Sequence, residues 1–418
     1  MTLRHNLVPF FLMLLLGITV GAGAQETPIQ ELGDEIFEDV NLSVNNNQSC
    51  ATCHDDAWGS TGPDSIINAG GAVYEGSIPG EFGDRKPPET DYATLSPVLH
   101  LDKSGTWVGG QFWDGRATGE KLGWPAADQA QGPFLNPKEQ ALPDNACVVY
   151  RVSVSAYAAL YEEVFGDNIF TITFPADTNA LCADGQLVPL SMDNRAKVET
   201  EYDNIAIAIA EYEAGPEERS FSSKFDASLE GMYKLTKQER RGFALFQGKG
   251  KCKLCHSSSG KQAVFTDFTY DNLGQPPNPD NPALIEDPDF RDPGLGGFLR
   301  SRGEPEDVWR AELGKMKVPT LRNVGAKPNP TDVKAYGHNG YFKSLKGIVH
   351  FYNTRDVKPE CVEPLTTATM EDAIAGGCWP APEIAENVNR EELGDLGLTD
   401  EEEDAIVAFL ETLTDDFF

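Results

Sequence analysis

Cys50-Ala51-Thr52-Cys53-His54 and Cys252-Lys253-Leu254-Cys255-His256 are two copies of one string, set about half the chain apart in a sequence of 418 residues. Two thiols at this spacing on a helical turn can each add to one vinyl group of a haem, and the next residue then points its imidazole at the iron. Zinc is the competing use of such residues, but each string supplies three ligands and has no second Cys or His pair nearby. The strings therefore predict two covalently bound c-type haems. Cys50 and Cys53 would tether the first and Cys252 and Cys255 the second, with His54 and His256 as iron ligands. One haem per half predicts two domains, residues 25–220 and residues 221–418.

The first residues carry a different message. Arg4, the apolar run Leu7 to Val20 and the small stretch Ala22-Gly23-Ala24 read as a signal peptide, residues 1–24, cleaved before Gln25. That apolar run is too short and wrongly flanked to span a membrane, and no later run is long enough. A periplasmic location is expected. The formal net charge of −32 argues against nucleic acid and anionic membranes as partners, while a basic patch on a protein would be attracted. Four cysteines lie outside the haem strings. In an oxidising compartment they suggest disulfides, and pairing 147–182 and 361–378 closes short loops, with buried free thiols as the alternative.

Helical signals dominate the rest. One helix is expected from Ile29 to Val40 and a longer one from Asn194 to Ala214, ending at Gly215-Pro216, where the domain boundary is placed. Thr236 with Glu239 and Thr399 with Glu402 are capping-box pairs that open two more helices, the first leading into the second haem string. From Val40 to about Pro143 the chain is rich in Gly, Pro, Asn and Asp and should be mostly loop with short helices. Gln275 to Pro293 reads as a surface loop without helical period. The fold class is mainly α: two cytochrome-c-like haem domains with long loops and few short strands.

Beyond the haem strings stand Gln111-Phe112-Trp113-Asp114-Gly115-Arg116, Gln129-Ala130-Gln131-Gly132-Pro133 and Asn136-Pro137-Lys138-Glu139. Later come Val318-Pro319-Thr320-Leu321-Arg322-Asn323-Val324, Tyr336-Gly337-His338-Asn339-Gly340 and Phe351-Tyr352-Asn353. In order and content these resemble the bacterial di-haem cytochrome c peroxidase and MauG family. The resemblance implies a peroxide site at the first haem, lined by Phe112, Gln129, Pro133 and Glu139, with Glu139 as the acid–base. It implies Trp113 as an electron relay between haems, Arg322 near the second haem and pairing with a propionate, and a calcium ion between the domains.

The sequence also departs from the peroxidase pattern. Residues 55–99 contain no histidine, so the first iron should keep an open face, unless His100 reaches it. Where electron-accepting peroxidases carry an axial methionine, fourteen residues after the histidine of the His-Asn-Gly string, this chain has Tyr352. Leu345, Ile348, Val349 and Tyr352 share one face of a helix expected to start near Ser344, so Tyr352 turns inward, with Met316 as the alternative ligand. The calcium-binding asparagine expected before Ser96-Pro97 is Leu95, which removes one ligand.

Together with the haem strings and Tyr352, the resemblance implies an oxidoreductase that uses hydrogen peroxide at the first haem and a His/Tyr-ligated second haem to oxidise a protein partner. The alternatives are a peroxidase supplied by a small redox-protein donor and a di-haem electron carrier without catalysis. Intact-mass and absorption measurements should find two tethered haems on the mature polypeptide, and one in a Cys252→Ser/Cys255→Ser variant.

Overall fold

The computed structural model describes residues 26–418, so the expected signal peptide lies outside the described residues. Helices dominate, and the strands are two antiparallel pairs of two residues each: β1 (His100–Leu101) with β2 (Trp107–Val108), and β3 (Tyr270–Asp271) with β4 (Met316–Lys317).

In the first half, α1 (Pro28–Glu38) begins with Pro28 in its first turn and a capping box between Thr27 and Gln30. It buries Leu32, Gly33, Ile36 and Phe37, an amphipathic spacing that sets one face against a core. That face packs on α3 (Met192–Glu213), capped by Ser191, while α2 (Asn145–Ser153) supplies Val148, Val149 and Val152 to the same cluster. A Cβ on Gly33 would overlap the Ala208 carbonyl oxygen, so the α1–α3 crossing depends on its absence. The Cys147–Cys182 disulfide lies in this cluster, as the short-loop pairing anticipated.

In the second half, α4 (Lys237–Gln247) and α6 (Asp400–Leu410) both open with the expected capping boxes. Between them in sequence lies α5 (Leu345–Thr354), which Ser344 caps by accepting from Gly347 N. Phe225, Phe246, Phe265 and Phe409 meet edge to face at the centre of this core, and the Cys361–Cys378 disulfide belongs to a neighbouring cluster with Phe351 and Trp379. The two largest clusters draw on residues 32–212 and 225–413, either side of Gly215-Pro216.

The stretch 275–293 differs from the surface loop expected. It holds a short helix, Pro282–Glu286, capped by Asn281, and its buried side chains tie distant backbone together. Asn278 donates to the Asn339 carbonyl at 3.0 Å and Asn281 to the Asp84 carbonyl at 2.9 Å. Asparagine amides satisfy backbone groups that a buried connection would otherwise leave unpaired, which is why this polar composition packs inward. Arg85 forms a bidentate pair with Asp292 at 2.6 and 2.7 Å, adding to the same junction.

Gly242 on α4 is the tightest helix contact, since a Cβ there would overlap the Ala405 carbonyl oxygen and crowd Phe409. Gly242→Ala should therefore destabilise the fold by about 1–3 kcal/mol, despite alanine's better helix propensity, as measured by chemical denaturation.

Candidate functional site

Each Cys-x-x-Cys-His string forms one turn. Cys53 N and His54 N donate to the Cys50 carbonyl at 3.0 and 3.1 Å, and His256 N donates to the Cys252 carbonyl at 2.9 Å. The four thiols are free while the other four cysteines are disulfide-bonded. Burial pushes the Cys53 and Cys252 thiols up to about 12, so these are neutral groups rather than metal-binding thiolates.

The histidines are oriented in the same way at both places. His54 Nδ1 lies 3.0 Å from the Ser60 carbonyl and His256 Nδ1 lies 2.8 Å from the Phe265 carbonyl. Nδ1 must carry the proton to make that bond, which leaves Nε2 as the basic nitrogen for iron. Burial lowers His54 to about 4, keeping the imidazole neutral.

Two large cavities receive these groups. The first, about 1390 Å³ with its mouth, is lined by Cys50, Cys53 and His54 together with Phe112, Trp113, Gln129, Pro133 and Glu139. The second, about 1450 Å³, is lined by Cys252, Cys255, His256, Tyr352 and Met316. A paired-thiol wall, a neutral imidazole and this much space fit a haem in each.

In the first cavity Asn136 Nδ2 donates to Glu139 Oε1 at 2.9 Å. Burial raises the Glu139 carboxyl and the Arg116 charge opposes it. The Arg116 guanidinium stacks on the Phe112 ring at 3.7 Å, and Phe112 holds a left-handed φ of 63°. Among the described residues lining this cavity, His54 is the only histidine. His100 is exposed on β1, with Nδ1 2.8 Å from the Val98 carbonyl, and lines neither cavity.

On the wall of the second cavity, Leu345, Ile348, Val349 and Tyr352 stand together, as their helical spacing anticipated. Among the described residues the Tyr352 hydroxyl has no hydrogen-bond partner, and burial raises its proton affinity. Trp113 lines both cavities, and its Nε1 donates to the Lys86 carbonyl at 2.8 Å.

Arg322 is a correction. It is fully buried but lines neither cavity, and Asp226 takes its guanidinium at 2.5 and 3.0 Å while the Ala263 carbonyl takes Nε at 2.8 Å. A guanidinium already saturated by an internal carboxylate has little left for a propionate.

Lysines stand there instead: Lys86 lines both cavities and Lys317 the second, while buried Lys334 lines neither and sits near Glu89 and Lys86. Lys334 Nζ donates to the Trp58 and Asn323 carbonyls at 2.6 and 2.8 Å, Lys86 Nζ to Thr61 Oγ1 and the Pro87 carbonyl at 2.8 and 2.9 Å, and Lys317 Nζ to Gln111 Oε1 at 2.9 Å. Burial alone would raise Glu89, yet Lys86 and Lys334 hold it below the ordinary carboxyl range. Toward a calcium ion Leu95 offers no side-chain oxygen, so backbone carbonyls and waters would have to supply the ligands.

Glu213, at the end of α3, escaped sequence reasoning. It lines the first cavity and is 3% exposed. The signal was present, because Glu213 falls four residues after Ile209 on the face that Ile205 and Ile209 bury. Burial and the Asp91 charge raise its carboxyl from 4.5 to about 8. Its stabilising contribution is complete below the unfolded value of 4.5 and is lost as pH rises through the folded value of about 8, because the unfolded chain ionises first. Thermal melts across that window should show a shallower decline for Glu213→Gln, which should exceed the parent protein by roughly 1–3 kcal/mol at the upper end.

Comparison with known proteins agrees with this geometry. The family model described as di-haem cytochrome c peroxidase matches residues 28–234. The methylamine utilization protein MauG of Paracoccus denitrificans is 38% identical over 409 residues, covering 94% of this chain and 92% of that protein. The cytochrome c551 peroxidase of Nitrosomonas europaea is 26% identical over 304 residues, 72% of this chain and 67% of the relative. The crystal structure of the di-haem peroxidase BthA from Burkholderia thailandensis aligns with a TM-score of 0.70 at 28% identity, covering 94% of this chain and 88% of that one. Two tethering strings, two cavities and a relative 38% identical and matched over 92% of its length lead to one conclusion: the chain belongs to the di-haem cytochrome c peroxidase/MauG family.

Proposed function

We propose that this oxidoreductase reduces hydrogen peroxide in the first cavity and oxidises a protein partner through the second, in the manner of a MauG-type enzyme working in the periplasm. The observation that carries the reading is Tyr352, whose hydroxyl lacks a hydrogen-bond partner among the described residues and faces the cavity of Cys252, Cys255 and His256. When bound, haem supplies the iron that accepts peroxide and holds its oxidising equivalents.

The chain's own residues do the rest. His54 and His256 each present Nε2 while Nδ1–H is held by a carbonyl. Glu139 Oε1 is fixed by Asn136, so Oε2 is left to take a proton from the inner peroxide oxygen and return it to the outer, leaving one. Burial raises the Glu139 carboxyl toward the range where such a shuttle works. Phe112 and Pro133 exclude water from the same face, and Gln129 contributes a polar contact there. Trp113, present in both cavity walls, carries electrons between them. An anionic phenolate from Tyr352 would lower the second centre's potential, whereas a thioether raises it. The two domains proposed for residues 25–220 and 221–418 would then each hold one haem.

A second reading has one observation in its favour. Met316 is buried and lines the second cavity beside Tyr352. A thioether ligand there would suit a peroxidase that draws electrons from a small redox protein. Magnetic resonance on Tyr352→Phe and Met316→Leu separates the two. The tyrosine change should alter the second centre's low-spin signal and the methionine change should leave it; the reverse pattern selects the runner-up. Glu139→Gln should slow the reaction with peroxide by about 10²–10⁴-fold in stopped-flow measurements, with both haems still bound.

A further inference from the structure

The two carbonyls that hold the histidines come from strained residues. Ser60 has φ 50° and Phe265 has φ 52°, both in the left-handed region that side chains other than glycine's disfavour. Such a conformation persists only where its surroundings over-determine it. The surroundings differ between the two sites.

Phe265 is held by packing. Its ring is fully buried and lies 5.5 Å from Phe225 and 6.0 Å from Phe246. Ser60 is also buried, but its hold is polar: its Oγ donates to Asp91 Oδ1 at 2.5 Å. Asp91 is braced in turn, since Oδ2 accepts from Asn323 Nδ2 at 2.5 Å, and Asn323 Oδ1 accepts from Asp415 N at 2.8 Å. Glu218 lies on the other side, with Oε2 3.5 Å from Ser60 Oγ, and both carboxyls are 5% exposed. Burial raises both, so the pair keeps a proton between them and serves as a fixed polar clamp. The Ser60 carbonyl also accepts from Thr90 N at 3.2 Å, longer than the 3.0 Å bond from His54 Nδ1.

We infer that Asp91 is a positioning residue for the first haem: by gripping the Ser60 hydroxyl it keeps Ser60 left-handed and its carbonyl aimed at His54 Nδ1–H. This rests on the reading of His54 as the ligand of the first haem. At the second haem Phe265 has no side-chain hydroxyl for a carboxylate to grip; its ring packs against Phe225, Phe246 and Phe409 with the Arg322 guanidinium 5.5 Å from its centroid. The consequence is selectivity. A stronger hydrogen bond at Nδ1 gives the imidazole more anionic character and strengthens its bond to iron. Loss of the clamp lets Ser60 relax and its carbonyl turn away, which weakens that bond at the first centre and leaves the second alone.

Resonance Raman spectroscopy of the reduced holoprotein tests this through the iron–histidine stretching frequency. The unmutated protein must first show a histidine-bound first centre, lost in His54→Ala; its absence would overturn the ligand reading itself rather than the clamp. Asp91→Ala should shift that frequency downward, with the second centre's low-spin signals unchanged. The double variant Asp91→Ala/Ser60→Gly should restore it, because glycine adopts the left-handed conformation without a clamp. Should Asp91→Ala fail to fold, Ser60→Gly should keep the parental frequency and Ser60→Ala should lower it. An unshifted frequency in Asp91→Ala or Ser60→Ala, or no rescue by glycine, overturns the proposal.

Discussion

The bond from a buried imidazole Nδ1 to a backbone carbonyl is the constraint on which the rest of this molecule depends. It occurs twice, at His54 with Ser60 and at His256 with Phe265, and it decides which ring nitrogen is basic. Without it, a neutral histidine on a Cys-x-x-Cys-His turn is free to present either nitrogen, and the cavity beside it has no defined axis. The helices behind each string exist to hold that turn. Cys50 N donates to the Phe37 carbonyl at the end of α1, and Gly250 against Ile406 sets the approach of the second string to α6.

Between the cavities the chemistry is of another kind. Trp113 and Lys86 line both cavities, and Lys86 joins several of the segments around them. Its amide donates to the His338 carbonyl at 2.8 Å, its carbonyl accepts from Trp113, and its ammonium bonds Thr61. Positive charge therefore sits inside a chain whose formal net charge is −32, where the acidic propionates of two haems would be drawn. Burial brings Lys317 and Lys334 down to about 7, and added negative charge in the cavities would favour their protonated forms.

Much of this was legible in the residues because it is encoded locally. The haem strings, the capping boxes at Thr236 and Thr399, the two short-loop disulfides and the inward turn of Tyr352 are each set by spacing along one segment. The gathering of Phe112, Gln129, Pro133 and Glu139 in one cavity came from the family resemblance, since nothing in their spacing forces them together. What escaped depends on partners far away in sequence. Arg322 reads as a ligand contact until Asp226 is seen to fill its guanidinium, and Asn278 and Asn281 read as loop residues until their carbonyl acceptors appear. Ser60 and Asp91 carry no motif, and their link is visible only once the loop after the first string has folded back.

The central claim is that two irons sit in these two cavities with different coordination. Diffraction from crystals of the holoprotein at the iron absorption edge tests it most directly. The account predicts two anomalous peaks. One should lie at His54 Nε2 with no protein ligand on the Glu139 side, and the other between His256 Nε2 and the Tyr352 hydroxyl. A single peak, or a second iron with Tyr352 turned away from it, would contradict the account.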